Sequence, residues 1–64
     1  MKTVEVGDRI EHTLPHLNKT REGKVILILG TQFVYEYGKE KHTAFCMFRG
    51  DIWKKLKWKY HMRD

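Results

Sequence analysis

Gly23-Lys24-Val25-Ile26-Leu27-Ile28-Leu29-Gly30-Thr31-Gln32-Phe33-Val34-Tyr35-Glu36-Tyr37-Gly38 is the stretch whose reading decides the fold. Two apolar runs meet at a Gly-Thr pair and are closed by glycine at both outer ends. Val25 to Leu29 is apolar on both faces, which suits a central strand bent through a small barrel. Gln32 to Tyr37 alternates, with Phe33, Tyr35 and Tyr37 on one face and Val34 on the other. Gly38-Lys39-Glu40 reads as a hairpin turn, because glycine supplies the backbone angles of tight turns. Lys41 to Phe48 then sets Ala44, Cys46 and Phe48 opposite Phe45 and Met47. Three strands joined by short turns make a meander.

Toward the N-terminus, Val6-Gly7-Asp8-Arg9-Ile10 reads as a turn entering a first strand, in which Ile10 alternates with charged Arg9 and Glu11. Thr13 to Glu22 has no clean period and holds the only proline, so it is read as a loop pinned by Leu14 and Leu17. Toward the C-terminus, Arg49-Gly50-Asp51 breaks the pattern. Asp51 is placed to cap one helical turn through Ile52, Trp53 and Leu56. From about Leu56, the alternation of Leu56, Trp58 and Tyr60 with Lys55, Lys57 and Lys59 predicts a last strand. The competing reading is one amphipathic helix from Ile52 to His61, from whose apolar face Trp58 falls away. The expected fold is therefore all-β: a small five-stranded SH3-like (Tudor/KOW-like) barrel with one short helical turn before the last strand.

The chain has 64 residues, which is one domain spanning 1–64. A core this small supports about 3–5 kcal/mol of stability without staples. Cys46 is the only cysteine, so no intrachain disulfide forms, and a lone thiol suits a reducing, cytoplasmic setting. The N-terminus lacks the apolar core of a signal peptide, and no apolar run approaches the ~20 residues of a membrane span. The expectation is an intracellular protein with no membrane partner.

Charge is placed unevenly within the net +5. Residues 1–48 carry +1 and residues 49–64 carry +4. In that last segment cations interleave with rings: Lys54, Lys55, Lys57, Trp58, Lys59, Tyr60 and Arg63. Lysine and arginine neutralise phosphates, and aromatic faces stack unpaired bases. Those residues are the candidate nucleic-acid surface, with Lys19, Arg21 and Lys24 extending it from the loop. The plainer reading buries Trp53 and Leu56 and leaves the lysines as a solvated face guarding an edge strand. Tyr35, Tyr37 and Phe45 form a second candidate, an aromatic patch of the kind that grips methylated cations.

Catalysis and cofactors are not expected. No carboxylate pair, Ser-His-Asp arrangement or phosphate-binding glycine spacing is present. Of His12, His16, His42 and His61, none pairs with another at metal-ligand spacing in a convincing helix. His42 and Cys46 share a strand face but stand ~13 Å apart at ~3.3 Å per residue, too far for one metal. Cys46 is read as a buried, protonated thiol.

Val6-Gly7-Asp8-Arg9-Ile10-Glu11-His12, Glu22-Gly23-Lys24-Val25, Gly30, Val34 and Tyr37-Gly38 together resemble the Tudor-like C-terminal domain of superfamily 1 DNA repair helicases, over roughly residues 6–48. That family shows a Gly-Asp-Arg-Val-x-His opening and a Gly-x-Val strand start. Its usual Phe-Gly pair before the second strand is replaced here by Lys19-Thr20-Arg21-Glu22-Gly23. The resemblance implies docking on nucleic acid or on a nucleoprotein machine such as RNA polymerase, without catalysis. An alternative of the same size class is a protein-binding adaptor or inhibitor, such as a virus-encoded accessory protein acting on a host enzyme. A second resemblance, through the opening strand, is to the small plasmid-encoded dihydrofolate reductases, which act as tetramers around one pore. Their Val-Gln-Ile-Tyr strand is absent, and Thr43 to Phe48 reads Thr-Ala-Phe-Cys-Met-Phe.

Overall fold

The computed structural model describes residues 3–56. Five strands run in the order β1 (Arg9–Leu14), β2 (Lys19–Leu29), β3 (Gln32–Tyr37), β4 (His42–Met47) and β5 (Ile52–Lys55). All pairings are antiparallel, and the single sheet has the order β4-β3-β2-β1-β5. The domain is all-β, and no helix among the described residues is long and apolar enough to cross a membrane.

β2 is the spine of the sheet and is longer than its apolar run. It begins at Lys19, inside the segment expected to be a loop, because Leu14, Thr13 and His12 pair with Lys19, Thr20 and Arg21. The connection between β1 and β2 needs only a 3-10 turn over Pro15–Leu17 and a left-handed Asn18, whose amide donates to the Pro15 carbonyl. Proline pre-sets the turn's φ, and asparagine tolerates the left-handed region. This is the one helical turn among the described residues, so the helical turn expected before the last strand is corrected to a place between β1 and β2.

β5 starts at Ile52, four positions earlier than its expected start near Leu56. It pairs with β1 through Thr13–Ile52, His12–Trp53, Glu11–Lys54 and Ile10–Lys55. Asp51 does not cap a helix. Its Oδ2 accepts the Met47 amide at 2.8 Å, backward across the turn. The rest of the expected last strand and of the competing helix, residues 57–61, lies outside the described residues.

The core lies on one face of the bent sheet. Val4, Ile10, Val25, Phe33, Tyr35, Cys46 and Trp53 form it, with Tyr37, Ala44 and Phe48 packed at its margin. Phe33 sits among the rings of Phe48 and Trp53, at centroid separations of 5.2 and 5.1 Å. A register shift between Val25 and Leu27 places a bulge at Ile26 and lets β2 bend over this core. Gly7 and Asp8 lock the entry: the Gly7 amide donates to the Val25 carbonyl, and the Val25 amide donates to the Asp8 carbonyl. The buried Asp8 carboxylate accepts the Glu5 amide at 2.9 Å and meets Lys55 Nζ at 3.2 Å, tying the N-terminal turn to the end of β5.

Candidate functional site

Three features stand out: a buried polar cluster, an apolar outer face and a groove. The cluster follows from the alternation of β1. Ile10, His12 and Leu14 point to the same side, so an imidazole enters the core and is 3% exposed. Its Nδ1 shares a proton with the Tyr35 hydroxyl at 2.6 Å, and the rings meet edge to face. Its Nε2 is buried without a hydrogen-bond partner among the described residues and faces Asp51 Oδ2 at 3.7 Å. Cys46 lies beside them on β4, fully buried. Burial pushes the His12 imidazole below its ordinary range; the Asp51 carboxylate opposes this and the Arg21 guanidinium adds to it. Burial pushes the Tyr35 phenol up, and a hydrogen bond from Arg21 opposes that shift.

A folded-state histidine pKa below its unfolded value makes a signed prediction. The unfolded chain binds the proton more readily, so stability is fully present above pH ~6.5 and is lost as pH falls from there through the lowered folded value. Urea unfolding across this range should show a decline that His12→Gln reduces. Equal slopes in both proteins would exclude His12 as its source.

The outer face carries the second feature. Directly paired residues share a face, so Leu27–Val34–Phe45 forms an apolar cross-strand row on the side away from the core, beside a second row in which Leu29 and Met47 flank Gln32. Phe45 is 57% exposed, and Leu27, Leu29 and Met47 are each more than 40% exposed, around a Val34 that is only 8% exposed. β4 forms one edge of this sheet. The Met47 amide points off that edge to Asp51, and the two-residue alternation of an antiparallel ladder aims the amides of Phe45 and Thr43 the same way. Exposed cations flank the strand, with Lys39 and Lys41 at one end and Arg49 at the other. The third feature is an open, mostly apolar groove of about 1010 Å³, lined by Val4, Ile28, Phe48, Ile52 and Trp53, with Asp51 at its wall.

The residues singled out from sequence separate. Lys57, Trp58, Lys59, Tyr60 and Arg63 lie outside the described residues. Lys54 and Lys55 are engaged by the protein's own acids, Glu11 at 3.6 Å and Asp8 at 3.2 Å. Lys19 and Lys24 are exposed on β2. Arg21 instead turns inward, its guanidinium 4.5 Å from the centre of the Tyr37 ring. Tyr35 and Tyr37 adjoin on the core face, ring centroids 5.7 Å apart, whereas Phe45 projects from the opposite face. The three rings therefore do not converge on one mouth, and the Tyr37 face is covered by Arg21. The role of His12 in this cluster is not legible in the sequence, because its partners Tyr35, Cys46 and Asp51 come from three other parts of the chain. The available signal was a histidine in phase with Ile10.

Comparisons with protein-family models, with curated proteins and with solved structures returned no match.

Proposed function

We propose that this domain is a non-enzymatic module that binds another protein through the outer face of β2–β3–β4 and the edge of β4 that is unpaired among the described residues. The observation that carries this reading is the exposed apolar row around Val34. Contiguous apolar surface rimmed by polar groups marks an interaction site on a small protein. The occupant that fits is an extended segment with alternating apolar side chains and acidic flanks. Its backbone would add to β4 through the outward amides of Thr43 and Phe45, and its acids would meet Lys39, Lys41 and Arg49. Aromatic anchors dominate such interfaces, so Phe45 is the central residue.

The test is capture of a partner from nuclease-treated lysate, with wild type beside Phe45→Asp. Wild type should retain a defined protein, and the substitution should weaken its binding by about 2 kcal/mol or more while leaving thermal unfolding unchanged. Equal retention by both proteins would remove this face from the account. Light scattering on the purified chain covers the self-association alternatives: a homodimer lost in Phe45→Asp would assign the face to a second copy, and a tetramer would favour the pore-enzyme reading.

A second reading, docking on nucleic acid or a nucleoprotein, is favoured by the +4 charge of residues 49–64. It predicts affinity for short DNA or RNA that falls steeply with salt. Retention that disappears on nuclease treatment would support it over the protein-binding reading.

A further inference from the structure

The structure assigns a second site, independent of the outer face: we propose that His12, Cys46 and Asp51 bind a single borderline-soft divalent cation of the zinc type. One nitrogen, one sulfur and one carboxylate oxygen from these residues lie within 4.8 Å of one another. Tetrahedral zinc bonds of about 2.0–2.3 Å put the same atoms about 3.3–3.6 Å apart, so closure needs shifts of about 1 Å. The His12 Nε2–Asp51 Oδ2 separation, 3.7 Å, is already near that spacing, and the Asp51 side chain, 37% exposed against 4% for His12, is the freer of the two to adjust.

His12 and Asp51 are prepared for the role, while the Cys46 thiol donates to the Met47 carbonyl at 3.8 Å, a weak bond that binding would replace. The His12 Nε2 atom is buried, lacks a hydrogen-bond partner among the described residues and points toward Asp51. A buried polar atom without a partner is costly unless something else satisfies it. In the tautomer whose Nδ1–H donates to Tyr35, the lone pair resides on Nε2, the orientation a metal requires, and metal-bound histidines commonly hold their other nitrogen in this way. The Asp51 carboxylate is positioned by the Met47 amide. Cys46 supplies the soft ligand that selects zinc-type ions over magnesium or calcium, for which a single carboxylate is too few oxygens. Binding forms the metal–sulfur bond and releases the thiol proton to water. Three protein ligands leave the fourth position to water on the Asp51 side, where the carboxylate borders the apolar groove.

The test is titration of the reduced 64-residue chain with Co²⁺, followed by displacement with Zn²⁺. Because Cys46 is the sole cysteine, a thiolate-to-cobalt charge-transfer band reports on that residue alone. The expected result is a band saturating at one metal per chain, bleached by zinc, with monomeric mass retained in light scattering. Asp51→Asn keeps an acceptor for the Met47 amide and should bind cobalt at least about tenfold more weakly. His12→Gln should do the same. If His12→Gln does not fold, Asp51→Asn decides alone. No charge-transfer band, saturation at one metal per two chains, or undiminished affinity in Asp51→Asn would each overturn the proposal.

Discussion

Gly23→Ala should remove most of the domain's stability. A Cβ at Gly23 would lie 2.3 Å from the Glu36 carbonyl oxygen and 2.6 Å from Tyr35 Cδ2. The first is backbone and the second belongs to a fully buried ring, so neither yields cheaply. Relief requires β2 and β3 to separate where Gly23 pairs with Tyr37, in the middle of the sheet. Overpacking with backbone displacement costs about 3 kcal/mol or more. That is most of the ~3–5 kcal/mol available to a domain of this size. Gly30→Ala is the control: its Cβ meets nothing within 4 Å, and only its φ of +58° resists the side chain. It should cost about 1 kcal/mol. Far-ultraviolet circular dichroism with urea titration separates the two. Equal losses would mean that close strand approach is not what glycine provides at position 23.

Phe33→Ala should have an effect of similar size. The ring is fully buried and touches Tyr35, Phe48 and Trp53, with centroids 6.3, 5.2 and 5.1 Å away. Removing it leaves a cavity at the meeting point of β3, β5 and the turn after β4, at a cost of about 3–5 kcal/mol. The Trp53 indole, whose Nε1 donates to the Phe48 carbonyl, loses its main neighbour, so its fluorescence should shift to longer wavelength as water enters. Phe33→Leu keeps apolar volume and should cost about 1–2 kcal/mol. A loss in Phe33→Ala no greater than that of Phe33→Leu would contradict a core centred on this ring.

How far the sequence carried the fold depended on local periodicity. The two-residue period of β3 and β4 assigns Phe33, Tyr35 and Cys46 to the core face, and on β4 the exposure of Phe45 and Met47 on either side of buried Cys46 follows that period. The run Val25 to Leu29 could not do so. A continuous apolar stretch has no phase, and the bulge at Ile26 changes the face of everything after it. That is why the exposure of Leu27 and Leu29, and with it the outer face, emerged only from the register. The polar stretch Lys19–Glu22 belongs to β2 because β1 pairs with it, a non-local contact that overrides weak local strand propensity. Asp51 shows the same competition: its capping chemistry was legible, but pairing of Ile52 with Thr13 drew the segment into a strand and left the carboxylate to the Met47 amide. The His12 cluster was hidden for the same reason, since its members meet only when β1, β3, β4 and the β4–β5 turn are assembled.

The central claim, that the domain works through the β4 edge and its apolar outer face, is tested most directly by amide hydrogen exchange of the chain alone and with its captured partner. The account predicts slowed exchange at Thr43 and Phe45, with the β1–β2 ribbon unchanged. Unchanged exchange along β4, with protection confined to Lys19–Lys24, would contradict it.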